Sequence, residues 1–436
     1  MGVSMRTERL VGVVVFIAIL CSSMYAQNSN VRTITLEEAV NLANENNISI
    51  KNAQSELYLL KAKNTYSWNS VSPSGSVSSS FADDFESDVK NFSVSGTLRL
   101  ALSTNLYTSI VGAKLNYEAG KLSYEQSCRQ IELSVRKAFY GLLYEQEYLV
   151  LQQRSLETAK SQYEQNTKKF NNGQMSELDV MTSRVNYEQK KPSVEAAALQ
   201  LKNDFASFKQ LLGIPQDQEI ELKGSLNEIL MVSKVNLPEE LETAPSVASA
   251  QYTLENAENT LLASRFSAYG PTVSASYSYG KSKSDGVASA MNPSGDDWKT
   301  TNSLSLGVSI PLDGCLPWST SSATVRASKI NVESAKRNLE NAKTTLEINK
   351  ENYLRKIELG INQIKSLQQN VDLARTTYTM TKAAYDYGKT DLQSLQSSSD
   401  KVLTAEVNLK SQAYSLMGTI LDLEYLLGIP LGSSIN

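Results

Sequence analysis

Few residues in this chain could carry out catalysis or hold a metal ion. Its 436 residues include no histidine, which excludes a His-based catalytic triad and a histidine metal site. Cys128 and Cys315 lie far apart, one on a predicted helix and one beside a predicted strand, so they predict no disulfide framework. Neither a GxxxxGKS/T phosphate loop nor a GxGxxG between strand and helix occurs. We therefore expect no enzymatic activity, no cofactor and no nucleic-acid partner.

Carboxylates are the remaining group that could bind a ligand. The chain has 46 Asp and Glu against 42 Lys and Arg, and most of the carboxylates lie on predicted long helices, where they are expected to form a solvated face. One acidic cluster, DDFESD at 83–88, stands in a predicted loop. It is either a cation site or an ordinary solvated loop.

The first 26 residues have the pattern of a secretory signal peptide. Arg6 and Arg9 precede an apolar run from Leu10 to Leu20, and a short tail ends at Ala26. The alternative is a lipoprotein signal, with acylation at Cys21. No other run approaches the roughly 18 apolar residues of a membrane helix, so we expect the mature chain to be either soluble or a β-barrel.

The rest of the chain is a tandem duplication. The pentapeptide LLGIP occurs at 211–215 and again at 426–430, and the same offset of 215 residues places KKFNNG at 168–173 opposite AAYDYG at 383–388. We divide the mature chain into a first repeat at 27–215, a linker or equatorial segment at 216–238, a second repeat at 239–430 and a tail at 431–436.

Each repeat contains a long helix with coiled-coil spacing. A 3-4 spacing of mostly apolar residues runs from Val135 to Phe170, and it returns 215 residues later from Lys350 to Tyr385. A helix from Asn105 to Asn172 would be about 100 Å long at the usual rise per residue, which is far longer than a compact domain.

A glycine ends each of these seams, at Gly173 and Gly388. Ser176 and Asp391 follow at the positions where a helix N-cap is expected. Because so few residues connect the two helices of a repeat, the helices must be antiparallel neighbours. Each repeat is therefore predicted to contain a helical hairpin with its glycine at the tip.

Two pairs of segments alternate with strand periodicity. NFSVSGTLRLAL at 91–102 and SLSLGVSIPL at 303–312 each have one apolar face, and partner strands begin after Pro73 and Pro271. The polar stretches at 82–91 and 281–302 are expected to be connectors. The apolar face either packs on a soluble core or faces lipid.

Three features favour lipid. The strands are about ten residues long, their opposite face is polar, and four aromatic residues flank them on the helix side, at Trp68, Tyr107, Tyr269 and Trp318. Four strands cannot close a barrel, because the smallest membrane barrels use about eight. We therefore expect an oligomer.

The repeated order of helix, two strands, long helix, glycine tip and returning helix resembles the TolC-type outer-membrane efflux proteins. GQMSELDV at 173–180 and SIPLDG at 309–314 add to the likeness, which covers about 35–430. It implies an α+β membrane protein, a homotrimer with one twelve-stranded β-barrel, four strands per chain, continuous with a barrel of long coiled-coil helices in the periplasm.

The resemblance also implies a function. The chain would be the outer-membrane exit duct of a tripartite efflux or type I secretion system, exporting drugs, toxins or proteins. Its partners would be outer-membrane lipid, a periplasmic adaptor protein and an inner-membrane pump. A secreted, soluble coiled-coil structural or adhesive protein would explain the helices but not the paired strands, and an uptake porin would explain the strands but not the helices.

Candidate site residues follow from the resemblance alone. It places adaptor contacts at the tips, Gly173 and Gly388, which could also be plain helix C-caps. It places a periplasmic gate at Asp179 and Tyr385, although Asp179 could simply favour a helix N-terminus and Tyr385 could simply pack in the seam.

One gate residue departs from the family pattern. Thr390 stands where the gate of the best-known family member has an arginine, and Lys389 lies beside it. Either the gate is weaker, or Lys389 substitutes for the arginine without the two-pronged geometry with which arginine binds a carboxylate.

Overall fold

The computed structural model describes residues 32–84, 89–227, 229–232, 234–236, 244–283 and 298–434. The predicted signal peptide, with Cys21, and residues 85–88 of the acidic cluster lie outside the described residues. In chain order the elements are β1 (Arg32–Ile34), α1 (Leu36–Asn46), α2 (Ile48–Thr65), β2 (Ser74–Asp84), β3 (Val89–Ser103), α3 (Asn105–Asn171), α4 (Glu177–Leu212), β4 (Ile220–Leu222), α5 (Pro245–Tyr269), β5 (Thr272–Lys283), β6 (Lys299–Ser309), α6 (Thr320–Asp386) and α7 (Leu392–Leu427).

The two helical hairpins match residue for residue. Helices α3 and α6 have 67 residues each, helices α4 and α7 have 36 each, and every boundary in the second hairpin lies 215 residues after its counterpart. The predicted hairpins are therefore confirmed, with α3 ending one residue earlier than expected. No helix in the described part of the chain is both long enough and apolar enough to cross a membrane.

The repeated LLGIP ends both returning helices. Gly213 and Gly428 have φ angles of 69° and 75°, in the left-handed region that glycine enters most readily. The Gly213 amide donates to the carbonyl of Gln210, and the Ile214 amide donates to that of Lys209, both at 3.1 Å. A Cβ atom on Gly213 would lie 2.7 Å from the backbone oxygen of Asn46, so this position has no room for a side chain.

The four long strands form one antiparallel sheet in the order β2-β3-β5-β6. Strand pairing reaches further than the apolar pattern did, because β2 continues to Asp84 and β3 already begins at Val89. The predicted connector at 82–91 is therefore wrong for most of its length, since ladder hydrogen bonds use the backbone and need no apolar side chain. At the other end, Ile310 and Leu312 lie beyond the last pair, Thr272 with Ser309. The residue that would pair next is Pro271, which has no amide hydrogen to donate.

The apolar face of this sheet is exposed in the single chain. On β6, the side chains of Leu304, Leu306 and Val308 are all mostly exposed. The four aromatic residues that flank the strands, Trp68, Tyr107, Tyr269 and Trp318, are exposed as well. The predicted division into an apolar and a polar face is confirmed, and no described residue covers the apolar one.

A small sheet and the main core lie on the hairpins away from the tips. Strands β1 and β4 pair in parallel, Arg32 with Ile220 through Ile34 with Leu222. The sequence did not predict this sheet, because three-residue strands carry no periodicity. The segment 216–238 thus contains β4, and it contributes Leu222 and Ile229 to a core shared with α1, α3, α4, α6 and α7.

Phe139 on α3 is a central residue of that core. It is buried, and its ring centroid lies 6.4 Å from that of Phe208 on α4. Replacing Phe139 with alanine should destabilise the protein by about 3–5 kcal/mol, because the change removes aromatic burial and leaves a cavity. Thermal unfolding of the purified protein measures this. The exposed Val150→Ala on the same helix is the matched control and should change stability by less than about 1 kcal/mol.

Candidate functional site

The two hairpin tips have the same backbone conformation. Gly173 and Gly388 have φ angles of 72° and 70°. The Gly173 amide donates to the carbonyl of Phe170 at 2.8 Å, and the Gly388 amide donates to that of Tyr385 at 2.9 Å. These are glycine C-caps, as one alternative predicted. A Cβ on either glycine would meet nothing within 4 Å, so the backbone conformation, and not a lack of space, is the reason for glycine.

The returning helices begin four residues after each glycine, and the expected residues, Ser176 and Asp391, are their N-caps. The hydroxyl of Ser176 accepts from the Asp179 amide at 3.2 Å and donates to the Asp179 carboxylate at 2.7 Å. The Asp391 carboxylate accepts from the Ser394 amide at 2.7 Å. Hydrogen bonding from the side chain and then the amide of Ser394 lowers the pKa of the Asp391 carboxyl. The helix N-terminal interpretation of Asp179 is thus supported, because its carboxylate lies in the first turn of α4, where the helix dipole favours a negative charge, and accepts from the N-cap hydroxyl.

Tyr385 is buried near the end of α6, with its hydroxyl directed at the other hairpin. It packs with Leu392 and Leu395. Its hydroxyl donates to Asn166 Oδ1 on α3 at 2.9 Å, and Lys169 Nζ lies 5.0 Å from its ring centroid. Tyr385 therefore has both the packing role and a polar contact, and the contact joins the two hairpins.

Sequence reasoning missed Asn166 as a site residue. Its side chain is fully buried, and its Oδ1 also accepts from Gln162 Nε2 at 2.9 Å, while its Nδ2 has no partner among the described residues. A signal was present, because Asn166 occupies a position in the apolar seam. A polar residue at such a position is the usual means by which coiled coils fix their register.

The predicted gate residues lie at the two tips. Tyr385 donates to Asn166, and Asp179 bonds to Ser176, within the described chain. Lys389 is exposed and Thr390 is half-buried at the second tip.

Asp179 lies close enough to Tyr385 to affect its titration. Burial raises the pKa of the Tyr385 hydroxyl, the bond to Asn166 lowers it, and the negative charges of Asp179 and Asp386 raise it further. Among the described residues, no group of three or more Cys, Asp or Glu side chains is placed to hold a metal ion.

A known family model matches both repeats of the chain. The family model described as outer membrane efflux protein matches residues 41–214 and 236–428. The chain belongs to the outer membrane efflux protein family. The predicted resemblance is thereby confirmed, and with it an outer-membrane location. No curated protein matches this chain in sequence.

Solved outer-membrane channels share the fold. The Campylobacter jejuni channel CmeC is 21% identical, with 90% of this chain and 85% of that chain covered and a TM-score of 0.71. The Vibrio cholerae outer membrane protein VceC is 14% identical, with 90% and 96% covered and a TM-score of 0.71. The open state of the Neisseria gonorrhoeae channel MtrE is 17% identical, with 92% and 90% covered and a TM-score of 0.69. At these identities the likeness establishes the fold of this efflux-family chain.

The raised pKa of Tyr385 gives a measurable pH effect. Because its folded value lies above the unfolded value, near 10, the folded state keeps a proton that the unfolded state loses. Its contribution to stability is complete below pH of about 10 and is lost as the pH rises through the folded pKa. The alkaline difference spectrum between wild type and Tyr385→Phe should have its midpoint above about 10. A midpoint at or below that value would mean that the hydroxyl is exposed to solvent.

Proposed function

We propose that this protein is the outer-membrane channel through which a tripartite efflux or type I secretion system exports its cargo. The observation that carries the proposal is the continuity of two 67-residue helices with a sheet whose apolar face is exposed. Helices about 100 Å long suit a periplasmic tunnel, and an exposed apolar sheet face suits lipid. A soluble coiled-coil protein would have no use for that face.

The sheet supports assembly of three copies. Strands β2 and β6 are its two edges, and each has one side without a strand partner in the described chain. Open edges invite pairing with a further strand, and a closed barrel removes them. Three copies with four strands each would close a sheet of twelve strands.

The helices provide a second and independent argument for a ring. Helix α4 packs on α3, α3 packs on α7, and α7 packs on α6, so α4 and α6 are the outer helices of the row. Near the tips the side chain of Tyr385 on α6 also reaches Asn166 on α3. Helices α4 and α6 both carry apolar residues, spaced by multiples of seven, that are more than half exposed. On α4 these are Leu178, Val185 and Leu199, and on α6 they are Leu359, Leu373 and Met380.

The junction inside the chain predicts how these stripes would pair. Between α3 and α7, the ring of Tyr144 stacks on that of Tyr414 with centroids 5.8 Å apart. The counterparts of these two residues, 215 positions later and earlier, are Leu359 on α6 and Leu199 on α4. If the junction repeats between copies, α6 of one copy packs on α4 of the next, and Leu359 meets Leu199.

The same antiparallel register pairs the other stripe residues. We start from the pair of Leu359 and Leu199 and follow both helices toward the tips. After 14 residues Leu373 lies opposite Val185, and after seven more Met380 lies opposite Leu178. All three pairs are apolar with apolar, although nothing inside one chain requires such a match. A head-to-tail contact of this kind closes into a ring when its rotation permits, and here it would give six hairpins and twelve helices.

A disulfide between two copies tests this arrangement. Leu178→Cys with Met380→Cys, in a background with Cys128→Ser and Cys315→Ser, should form a covalent trimer on oxidation, because each copy would bond to the next around the ring. Non-reducing electrophoresis of outer membranes measures it.

Two controls define the result. Each single-cysteine variant should stay uncrosslinked. Leu178→Cys with Leu359→Cys should also stay uncrosslinked, since 21 helical residues separate position 359 from Met380, or about 30 Å. A ladder of species beyond three chains, or crosslinking of the distant pair, would contradict the ring.

We propose further that a periplasmic adaptor, connected to an inner-membrane pump, docks at the tips around Gly173 and Gly388. The open space beyond both glycines and the exposed Tyr387 beside the second one support this surface. Two φ-positive glycines would then present a narrow backbone turn that a partner can approach closely.

Bulk at the tips should therefore block export. Gly173→Trp with Gly388→Trp should abolish cargo export from cells while leaving the amount of trimer in the outer membrane unchanged. The matched control is the double alanine variant, which has the same backbone strain, roughly 1–2 kcal/mol per position, but little bulk, and it should keep most of the export. Normal export by the double tryptophan variant would place the adaptor elsewhere.

We also propose that Asp179, Tyr385, Lys389 and Thr390 line the periplasmic gate of the closed ring. The support is their gathering at the tips and the half-buried carboxylate of Asp179, with the ammonium of Lys389 exposed at the other tip. An exposed ion pair contributes only about 0–1 kcal/mol, so this gate would be shallow. Unchanged single-channel conductance on Asp179→Ala would remove that residue from the gate.

A further inference from the structure

The geometry points to a polar latch at the junction between the two hairpins of one chain, formed by Asn166 and Tyr385, which the junction between neighbouring chains lacks. The inference rests on the proposed ring of six hairpins. It adds to that ring an asymmetry: three junctions would have this buried hydrogen bond near the tips, and the three alternate junctions would lack it.

The latch joins two different helices at the level of the tips. Asn166 lies on α3, seven residues before Gly173, and Tyr385 lies on α6, three residues before Gly388. The Tyr385 hydroxyl and Gln162 Nε2 both donate to Asn166 Oδ1, each at 2.9 Å. Both latch residues are buried, so water does not compete for this bond.

The buried amide favours one arrangement of the hairpins. Its Nδ2 has no partner within the described chain, and an unmatched buried donor weakens a junction in comparison with apolar packing. A polar residue at a seam position is tolerated when it fixes register, because other registers lose the bond that it makes to the partner helix. Asn166 Oδ1 can keep its bond from Gln162 in any register, since both residues lie on α3, but it receives a bond from the other hairpin only where Tyr385 lies against it.

The duplication shows what the other junction has in place of the latch. The counterpart of Asn166 is Thr381, and that of Tyr385 is Phe170, each 215 residues away. Thr381 donates its hydroxyl to the carbonyl of Thr377 in its own helix at 2.8 Å. Phe170 has no polar side-chain atom, and it is 40% exposed where Tyr385 is 8% exposed. Phe170 thus has the exposure of a residue whose partner belongs to another copy.

The ring brings these two counterparts together. Inside one chain, the α3 position of Asn166 meets the α6 position of Tyr385. When the same geometry repeats between copies, Thr381 on α6 of one copy meets Phe170 on α3 of the next. No hydrogen bond can form between a phenyl ring and a hydroxyl that is already bonded to its own helix. The tips should therefore separate first between copies, with each chain's hairpins moving as a pair.

Building the missing latch tests this directly. Phe170→Tyr combined with Thr381→Asn places the latch pair at all six junctions, whereas Tyr385→Phe removes it from the three junctions that have it and leaves none. Purified trimers in planar bilayers should show an open probability that falls about two- to tenfold in the double variant and rises by a similar factor in Tyr385→Phe, the range that one buried hydrogen bond supports.

The two single variants provide the matched control. Phe170→Tyr alone and Thr381→Asn alone each supply half of a latch and should leave the open probability close to that of wild type. A non-additive double variant is therefore the signature of a bond between the two positions, which a general loss of packing would not produce. An additive effect, or no effect in any of the variants, overturns the latch.

A second measurement is independent of conduction. Spin labels at Gln174→Cys, in the background with Cys128→Ser and Cys315→Ser, report the distances between tips of neighbouring copies. The distance distribution should narrow in Phe170→Tyr with Thr381→Asn and broaden in Tyr385→Phe. Unchanged distributions overturn the latch even in trimers that conduct, whereas trimers that do not conduct but show these changes would overturn the proposed channel function and leave the latch standing.

Discussion

Covering the apolar residues of helices about 100 Å long is the constraint on which this structure depends. A helix of that length has no globular core to lie on, so neighbouring helices must bury its apolar positions along its whole length. Pairing in hairpins covers one side of each helix, since the seams of α3 and α6 are buried or half-buried against α4 and α7 for nearly their whole length. The inner helices α3 and α7 cover each other's second side, and the outer helices α4 and α6 keep theirs exposed.

The sheet at the other end of the molecule is incomplete in the same way. Among the described residues its two edge strands have no further partner and its apolar face is exposed. In the proposed channel, further copies would pair with the edges and lipid would cover the apolar face. Between these parts lies the main core, where β1, β4 and α1 pack against the hairpins and bury Phe139, Phe208 and Leu421. In this region one chain buries its apolar side chains without a further copy, and the core fixes the relative position of the two hairpins.

The duplication gives the two hairpins the same backbone, and the side chains that differ between the repeats make the junctions between hairpins different. The helix lengths and the glycine turns are copied without change, because any difference in length would put the tips at different heights. The side chains near the tips were free to diverge. Asn166 opposite Thr381 and Tyr385 opposite Phe170 make two junctions with the same backbone and different chemistry. In a ring of three such chains the backbones of the six hairpins would be related by nearly six-fold symmetry. The hydrogen bonds between hairpins would follow only three-fold symmetry.

Local patterns were enough to determine the hairpins, the glycine tips, the N-caps Ser176 and Asp391, and the alternating strands, because each depends on residues that are close together in sequence. They also carried the family resemblance. Only the tertiary structure decided how far the strands extend, that β1 pairs with β4, and that the hydroxyl of Tyr385 binds Asn166, 219 residues away. Contacts of this kind depend on how two helices are rotated and aligned against each other. Periodicity shows which side of a helix is apolar, but the partner that fills each position is chosen only when the helices pack.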